Sequence, residues 1–156
     1  MNTISHGEIE AKRHGIERSP EWSKIEKSFV LRFPNCAACK ITQSHVQVHH
    51  VFPFHYCIIL GRPDLELDPR NLITLCETTH LCPSDNHHLL LGHFDDFKSA
   101  NLNVRQDVIK YKGFNLNSIK NNSEWQEACN HKLKPLDEMT DEDRENFKHL
   151  MNNTYA

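Results

Sequence analysis

The sequence is most informative at first through what it lacks. No apolar run approaches the roughly 20 residues of a membrane span, which excludes a helical membrane protein and predicts a soluble chain. The first ten residues, Met1 to Glu10, hold no basic cluster followed by an apolar stretch. No secretory signal is therefore expected, and the sequence reads as cytoplasmic, with no membrane partner. Bulk positive charge is also missing. Residues 1–35 hold six basic and five acidic side chains, residues 36–100 four and seven, and residues 101–156 eight and nine, for a net charge of −3. None of these is the basic block that binds nucleic acid by bulk electrostatics, so any nucleic-acid contact has to come from a local patch, bound metal or protonated histidine. Internal repeats and low-complexity tracts are absent too. At 156 residues the chain has the size of one domain.

What the chain does have is histidine and cysteine, twelve and six of them. Five of the cysteines and eight of the histidines fall between Cys36 and His93. In a reducing compartment disulfides are disfavoured, so this clustering points first to metal.

The periodicities predict helix, two strands, helix, then C-terminal helices. Ser19 and Pro20 read as cap and first position of a helix of about 13 residues, with Trp22, Ile25, Phe29 and Phe33 at helical spacing and Pro34 as its stop. Val46, Val48 and Val51 suit a short strand, and Leu72, Ile73 and Leu75 a second one running into Cys76. Residues 52–70, with three prolines and a glycine, read as a long ordered loop. A helix is expected from His87 or His88 to about Ser99, weakened by Gly92. Further helices are expected over Val104–Lys112, over Ser123–Lys132 with Ser123 as cap, and from Thr140, whose spacing to Asp143 resembles a capping box.

Cys36 and Cys39 have the two-residue separation that lets two thiolates reach one ion from a tight turn, and Cys76 follows the second strand. The fourth ligand is open among Cys82, His80 and His87. Tetrahedral Zn²⁺ is the natural occupant, against the alternatives of buried free thiols or a redox pair. A closed zinc site would supply folding free energy to a segment with little regular structure. Cys57 and Cys129 read as ordinary core thiols.

His49 and His50 are neighbours on a strand, so their side chains point to opposite faces. Hydrolysis of a phosphodiester needs a divalent ion, a base and something to fix that base's tautomer. The order Cys36, Cys39, Val48-His49-His50-Val51 with Pro53, Asn71-Leu72-Ile73-Thr74-Leu75-Cys76, and Asn86-His87-His88 through Gly92-His93 resembles the HNH endonucleases of the ββα-metal, or His-Me finger, superfamily. The Ser19-Pro20-Glu21-Trp22 helix leading to Cys36 is similar to the phage and bacterial branch. The resemblance covers roughly residues 18–105.

That resemblance implies an α+β fold, a small ββα-metal finger with structural zinc flanked by helices: a lead-in over 1–18, the nuclease domain over 19–105 and a helical extension over 106–156. It implies His50 as general base, Asn71 as the residue organising the loop and orienting that base, and His49 and His88 as ligands of the catalytic ion. His93 is a third ligand by analogy with colicin-type nucleases, whose helix histidines are four apart. Here the separation is five, about 140° out of phase on a regular helix, so a structural histidine is the alternative. The fourth zinc ligand in the family often precedes the helix histidine, which favours His87 over Cys82. The implied reaction is one-metal hydrolysis of DNA leaving 5′-phosphate and 3′-hydroxyl ends, with Mg²⁺, Mn²⁺, Zn²⁺, Ni²⁺ or Co²⁺ as the working ion. Double-stranded DNA would be met in the minor groove, with Arg62, Arg70 and Lys98 as phosphate contacts and Arg105, Lys110, Lys112 and Lys120 as an extension. Two other readings are a zinc-stabilised binding module without catalysis and a nuclease for RNA or branched DNA.

Overall fold

A computed structural model describes residues 15, 17–39, 45–77 and 86–155. The chain mixes helix with one small sheet. Helix α1 (Trp22–Arg32) starts two residues after Pro20. Ser19 holds its start, accepting the Glu21 N–H on its hydroxyl and the Trp22 N–H on its carbonyl. Pro34 disfavours helical backbone at Phe33, which ends the helix with φ −130° and ψ 72°.

Strands β1 (Val46–His50) and β2 (Leu72–Cys76) pair antiparallel, Val46 opposite Cys76 and His50 opposite Leu72. Alternation then sorts the side chains. Val48 and Leu72 pack with Trp22 and Phe29 of α1 in a small apolar cluster. Ile73 and Leu75 join the main core with Leu90 and Leu91. His50 and His49 go to opposite faces with these two sets.

The segment 52–70 is not the loop expected. It holds helix α2 (Phe54–Ile59) and two 3₁₀ turns, Pro63–Glu66 and Pro69–Asn71. Its prolines act as starters rather than breakers. Pro53 caps α2, and Pro63 and Pro69 each open a turn, where a missing N–H leaves no bond unmade. The segment buries Phe54, Tyr56, Cys57, Leu60 and Leu65, so the apolar area there is larger than the loop reading allowed.

The helix expected from His87 or His88 to Ser99 is also corrected. A single π-helical turn spans His88–Gly92, and the chain reverses through Phe94 (φ 52°) and Asp95 (φ 64°), backbone that a continuing helix does not use. Four of the five carbonyls of this turn are engaged as follows. Leu89 accepts the His93 and Asp95 N–H groups, Leu90 the indole N–H of Trp125, Leu91 the Asn101 side-chain amide and Gly92 the Asn101 N–H. Burial of a widened turn costs little when its carbonyls find donors in this way.

Four helices follow: α3 (Val104–Lys110), α4 (Leu116–Lys120), α5 (Ser123–Cys129) and α6 (Asp141–Thr154). Of these, α4 had no counterpart in the sequence reading, and α5 is capped by Asn122 rather than Ser123. The Thr140–Asp143 capping box is present. Ile119, Trp125, Phe147, Met151 and Tyr155 enter the same core as Leu90 and Leu91. No helix among the described residues is long and apolar enough to cross a membrane.

Candidate metal centres

Among the described residues two clusters of ligating side chains form, and each takes a ligand from the sheet. In the first, the ligand atoms of Cys36, Cys39, Cys76 and His87 lie within 4.8 Å of one another. Cys36 and Cys39 come from the turn after α1, Cys76 ends β2, and His87 precedes the π turn. The Cys39 and Cys76 sulfurs are 3.6 Å apart, and His87 Nδ1 is 3.2 Å from Cys76 Sγ and 3.9 Å from Cys36 Sγ. A tetrahedral ion with metal–sulfur bonds of about 2.3 Å has edges of roughly 3.7 Å, so the spacing fits. His87 Nε2 donates to the Phe114 carbonyl at 3.1 Å, which leaves the Nδ1 lone pair facing the sulfurs. The Ala38 and His87 N–H groups donate to Cys36 Sγ and Cys76 Sγ. Contact with Cys76 is the main cause lowering the Cys36 thiol from its ordinary range, and contact with Cys36 the main cause raising Cys76. This donor set is a possible metal site consistent with structural zinc. Cys82 and His80, the other candidates for the fourth position, lie outside the described residues.

The second cluster is His49, His88 and His93, again with ligand atoms within 4.8 Å. His88 and His93 approach Nε2 to Nε2 at 3.0 Å. The Nδ1 of each is already a donor: His93 to the Ser99 carbonyl at 2.7 Å, His88 to the Glu77 carboxylate at 3.3 Å. With Nδ1 as the donor on both rings, the two Nε2 lone pairs face each other. Such a contact is repulsive until a cation or a proton lies between them. His49 adds a third nitrogen: its Nε2 is buried and has no hydrogen-bond partner among the described residues, and the ring's protonation is held down by burial first and by His93, His88 and His50 next. Three convergent imidazoles suit a first-row divalent ion. The π turn is what makes the set possible, because its wider winding brings positions five apart to one face. The objection that His88 and His93 are out of phase holds for a regular α-helix and not for this turn.

Gly92 completes the cradle. A Cβ there would lie 3.1 Å from His49 Cε1, closer than nearly all carbon contacts, so a side chain would push against the ring.

His50 lies across the strand, its ring tilted against Trp22 at 4.6 Å and Phe54 at 5.9 Å between centroids. Its Nε2 donates to the Glu66 carbonyl at 2.8 Å, which assigns the lone pair to Nδ1. Burial, followed by the Arg18 guanidinium, lowers its pKa to about 3, so the ring is neutral at pH 7. Arg18 itself lies over the Trp22 and Phe54 rings and 3.8 Å from Glu66. Asn71 is fully buried. It accepts the Phe52 N–H at 2.8 Å and donates to the carbonyls of Phe52 and Leu65, clamping the chain leaving β1 to the turn that carries Glu66.

The surface cations are more engaged than their sequence positions suggested. Arg62 pairs with Asp64 and bonds Asn152, and Arg70 pairs with Asp68. Lys98 is exposed and follows Phe97, whose ring packs on His88 and His93. Arg70 also lines a groove of about 880 Å³ with Arg32 and Arg105, floored by Phe29, Phe33 and Leu72. Glu77 and Arg18 carried no signal in the sequence, since an acid after a cysteine and a basic residue in a polar lead-in are both common. Compared with family models, with curated proteins and with solved structures, the chain matches none.

Proposed function

We propose that the protein is a metal-dependent endonuclease of the HNH type, built on a ββα-metal finger of β1, β2 and the π turn and acting on DNA. One observation carries the reading: His49, His88 and His93 converge on one point, while the next residue along β1, His50, is a neutral imidazole whose tautomer is fixed. This is the pairing of metal ligands with a positioned base that phosphodiester hydrolysis requires. A divalent ion bound by the three histidines would act as Lewis acid toward the scissile phosphate.

The chain's own residues do the rest. His50 takes the proton of the attacking water on Nδ1, because Nε2–H stays with the Glu66 carbonyl. Asn71 supports that carbonyl by bonding the preceding one, that of Leu65, and tying it to the Phe52 backbone. The low basicity of His50 in the free protein reflects burial and Arg18; a phosphodiester beside it supplies negative charge of the sign that favours the imidazolium. Arg32 and Arg105 line one groove together with Arg70, whose charge is shared with Asp68, and would supply phosphate contacts there. The Cys36, Cys39, Cys76 and His87 cluster serves structure.

The test is conversion of supercoiled plasmid by wild type and His50→Ala across Mg²⁺, Mn²⁺, Co²⁺, Ni²⁺ and Zn²⁺. Metal-dependent nicking or linearisation that falls by about 10² to 10⁴ in the variant is expected. Equal cleavage by both removes His50 as base. The depth at which His50 is buried favours one second reading, a zinc-stabilised nucleic-acid-binding module, and retained DNA binding with no cleavage under any metal selects it.

A further inference from the structure

The three histidines of the second cluster are not equivalent in what lies behind them. His93 donates its Nδ1–H to a neutral carbonyl, that of Ser99. His88 donates to a carboxylate, that of Glu77. We propose that Glu77 is a positioning residue of the three-histidine site, which fixes the His88 tautomer and raises the basicity of its Nε2 toward a divalent transition-metal ion. This rests on the reading of His49, His88 and His93 as metal ligands.

Glu77 is placed for this by its neighbours on both sides. Its N–H donates to the His45 carbonyl at 2.8 Å, extending the β1–β2 ladder by one rung past Cys76. The preceding residue belongs to the cysteine cluster. His88 likewise follows directly on His87. Each partner of the carboxylate–imidazole pair is therefore the next residue after a ligand of the first cluster, so the cluster sets their separation. The His88 side chain is 11% exposed and that of Glu77 25%, and the hydrogen bond between them is partly desolvated. A carboxylate there draws the Nδ1 proton toward itself and leaves more electron density on Nε2 than a carbonyl does. Supporting groups of this kind are worth about 10- to 100-fold in metal affinity.

The experiment is Co²⁺ titration, by calorimetry and visible absorption, of protein whose cysteine cluster is already loaded with zinc. It compares wild type with Glu77→Gln, which keeps an acceptor oxygen but loses the charge, and with Glu77→Ala, which loses both. Wild type should take up one ion beyond the zinc. Affinity should drop about tenfold in Glu77→Gln and up to 100-fold in Glu77→Ala, with zinc content and melting temperature retained in Glu77→Gln. Nitrogen NMR of the imidazoles gives a second readout. His88 should be a single Nδ1–H tautomer in wild type and a mixture in Glu77→Ala. Wild-type affinity and an unchanged His88 tautomer in both variants would overturn the role of Glu77 while leaving the metal site standing. Failure of wild type to bind any ion beyond zinc would instead overturn the metal reading of the three histidines, and this inference with it.

Discussion

His88 and His93 meet Nε2 to Nε2 at 3.0 Å although five positions separate them. A regular α-helix would point these side chains about 140° apart. The π-helical turn over His88–Gly92 removes that difference, and its carbonyls are satisfied from outside by Trp125 and Asn101. The C-terminal helices thus support the site at the level of single hydrogen bonds, since the indole N–H that caps Leu90 comes from α5.

Gly92 is the position where this arrangement is tightest. In Gly92→Ala the new methyl meets the His49 ring, which has to move by a few tenths of an ångström. Overpacking of this kind costs about 1–3 kcal/mol of stability. Metal uptake at the three-histidine site should weaken about tenfold or more, while zinc content stays at the wild-type level. Co²⁺ titration beside zinc analysis checks both, and a variant that binds as wild type does would show that His49 is not held against the turn.

The two clusters are joined through consecutive residues, Cys76 to Glu77 and His87 to His88. Cys36→Ser, or stripping the first cluster with a chelator that outcompetes it, should therefore cost more than local order. The expected result is loss of cooperative melting, as in small zinc-dependent folds, and loss of metal binding at the second cluster even though none of its own ligands has changed. Retained cooperative melting after complete zinc removal would assign the four residues a role other than holding the fold.

Much of this was legible from residue spacing. The cysteine pair, the strand running into Cys76 and the adjacent His49 and His50 each follow from short-range patterns that alternation or a tight turn imposes. The missing parts depend on distance in sequence. Pro53, Pro63 and Pro69 read as parts of a long loop because their roles, as the cap of α2 and as openers of the two 3₁₀ turns, show only when those elements are in place. The π turn has no local signature, as the groups that make it affordable lie 10 and 35 residues away at Asn101 and Trp125. Helix α4 is five residues long and too short for periodicity to register. Glu77 became significant only through His88, eleven positions on.

The Asn71 side chain makes four hydrogen bonds inside the protein, accepting the Phe52 N–H and, at 3.5 Å, the Tyr155 hydroxyl, and donating to the carbonyls of Phe52 and Leu65, all three of them buried residues. Asn71→Ala leaves the Phe52 N–H and the carbonyls of Phe52 and Leu65 short of a partner. Each such loss costs about 1–3 kcal/mol, and relaxation of the loop should keep the total near the low end, about 2–4 kcal/mol. A domain of this size then melts lower by about 2–4 °C for each kcal/mol. Asn71→Asp keeps the shape and the acceptor, yet buries a charge and loses both donors, so it should be no better than alanine. Urea unfolding of the three proteins measures this directly.

Acid should find His50 before it finds most of the carboxylates. In the unfolded chain the ring titrates near pH 6.5, while in the folded protein burial and Arg18 hold its pKa at about 3. Above pH 6.5 both states are neutral and the contribution to stability is fully present. As pH falls below 6.5 the unfolded chain takes up a proton that the folded protein refuses, so stability drops, and the loss levels off only below about pH 3. The slope for one such group approaches about 1.4 kcal/mol per pH unit. His50→Gln is neutral at every pH and can still donate to the Glu66 carbonyl, which isolates the titration from the packing. The wild-type stability should therefore fall more steeply than that of His50→Gln between pH 6.5 and 4.5, measured by urea unfolding of zinc-loaded protein with zinc retention checked at each pH. Parallel curves would mean that His50 accepts its proton within the fold, and that the ring is less enclosed than its packing against Trp22 and Phe54 indicates.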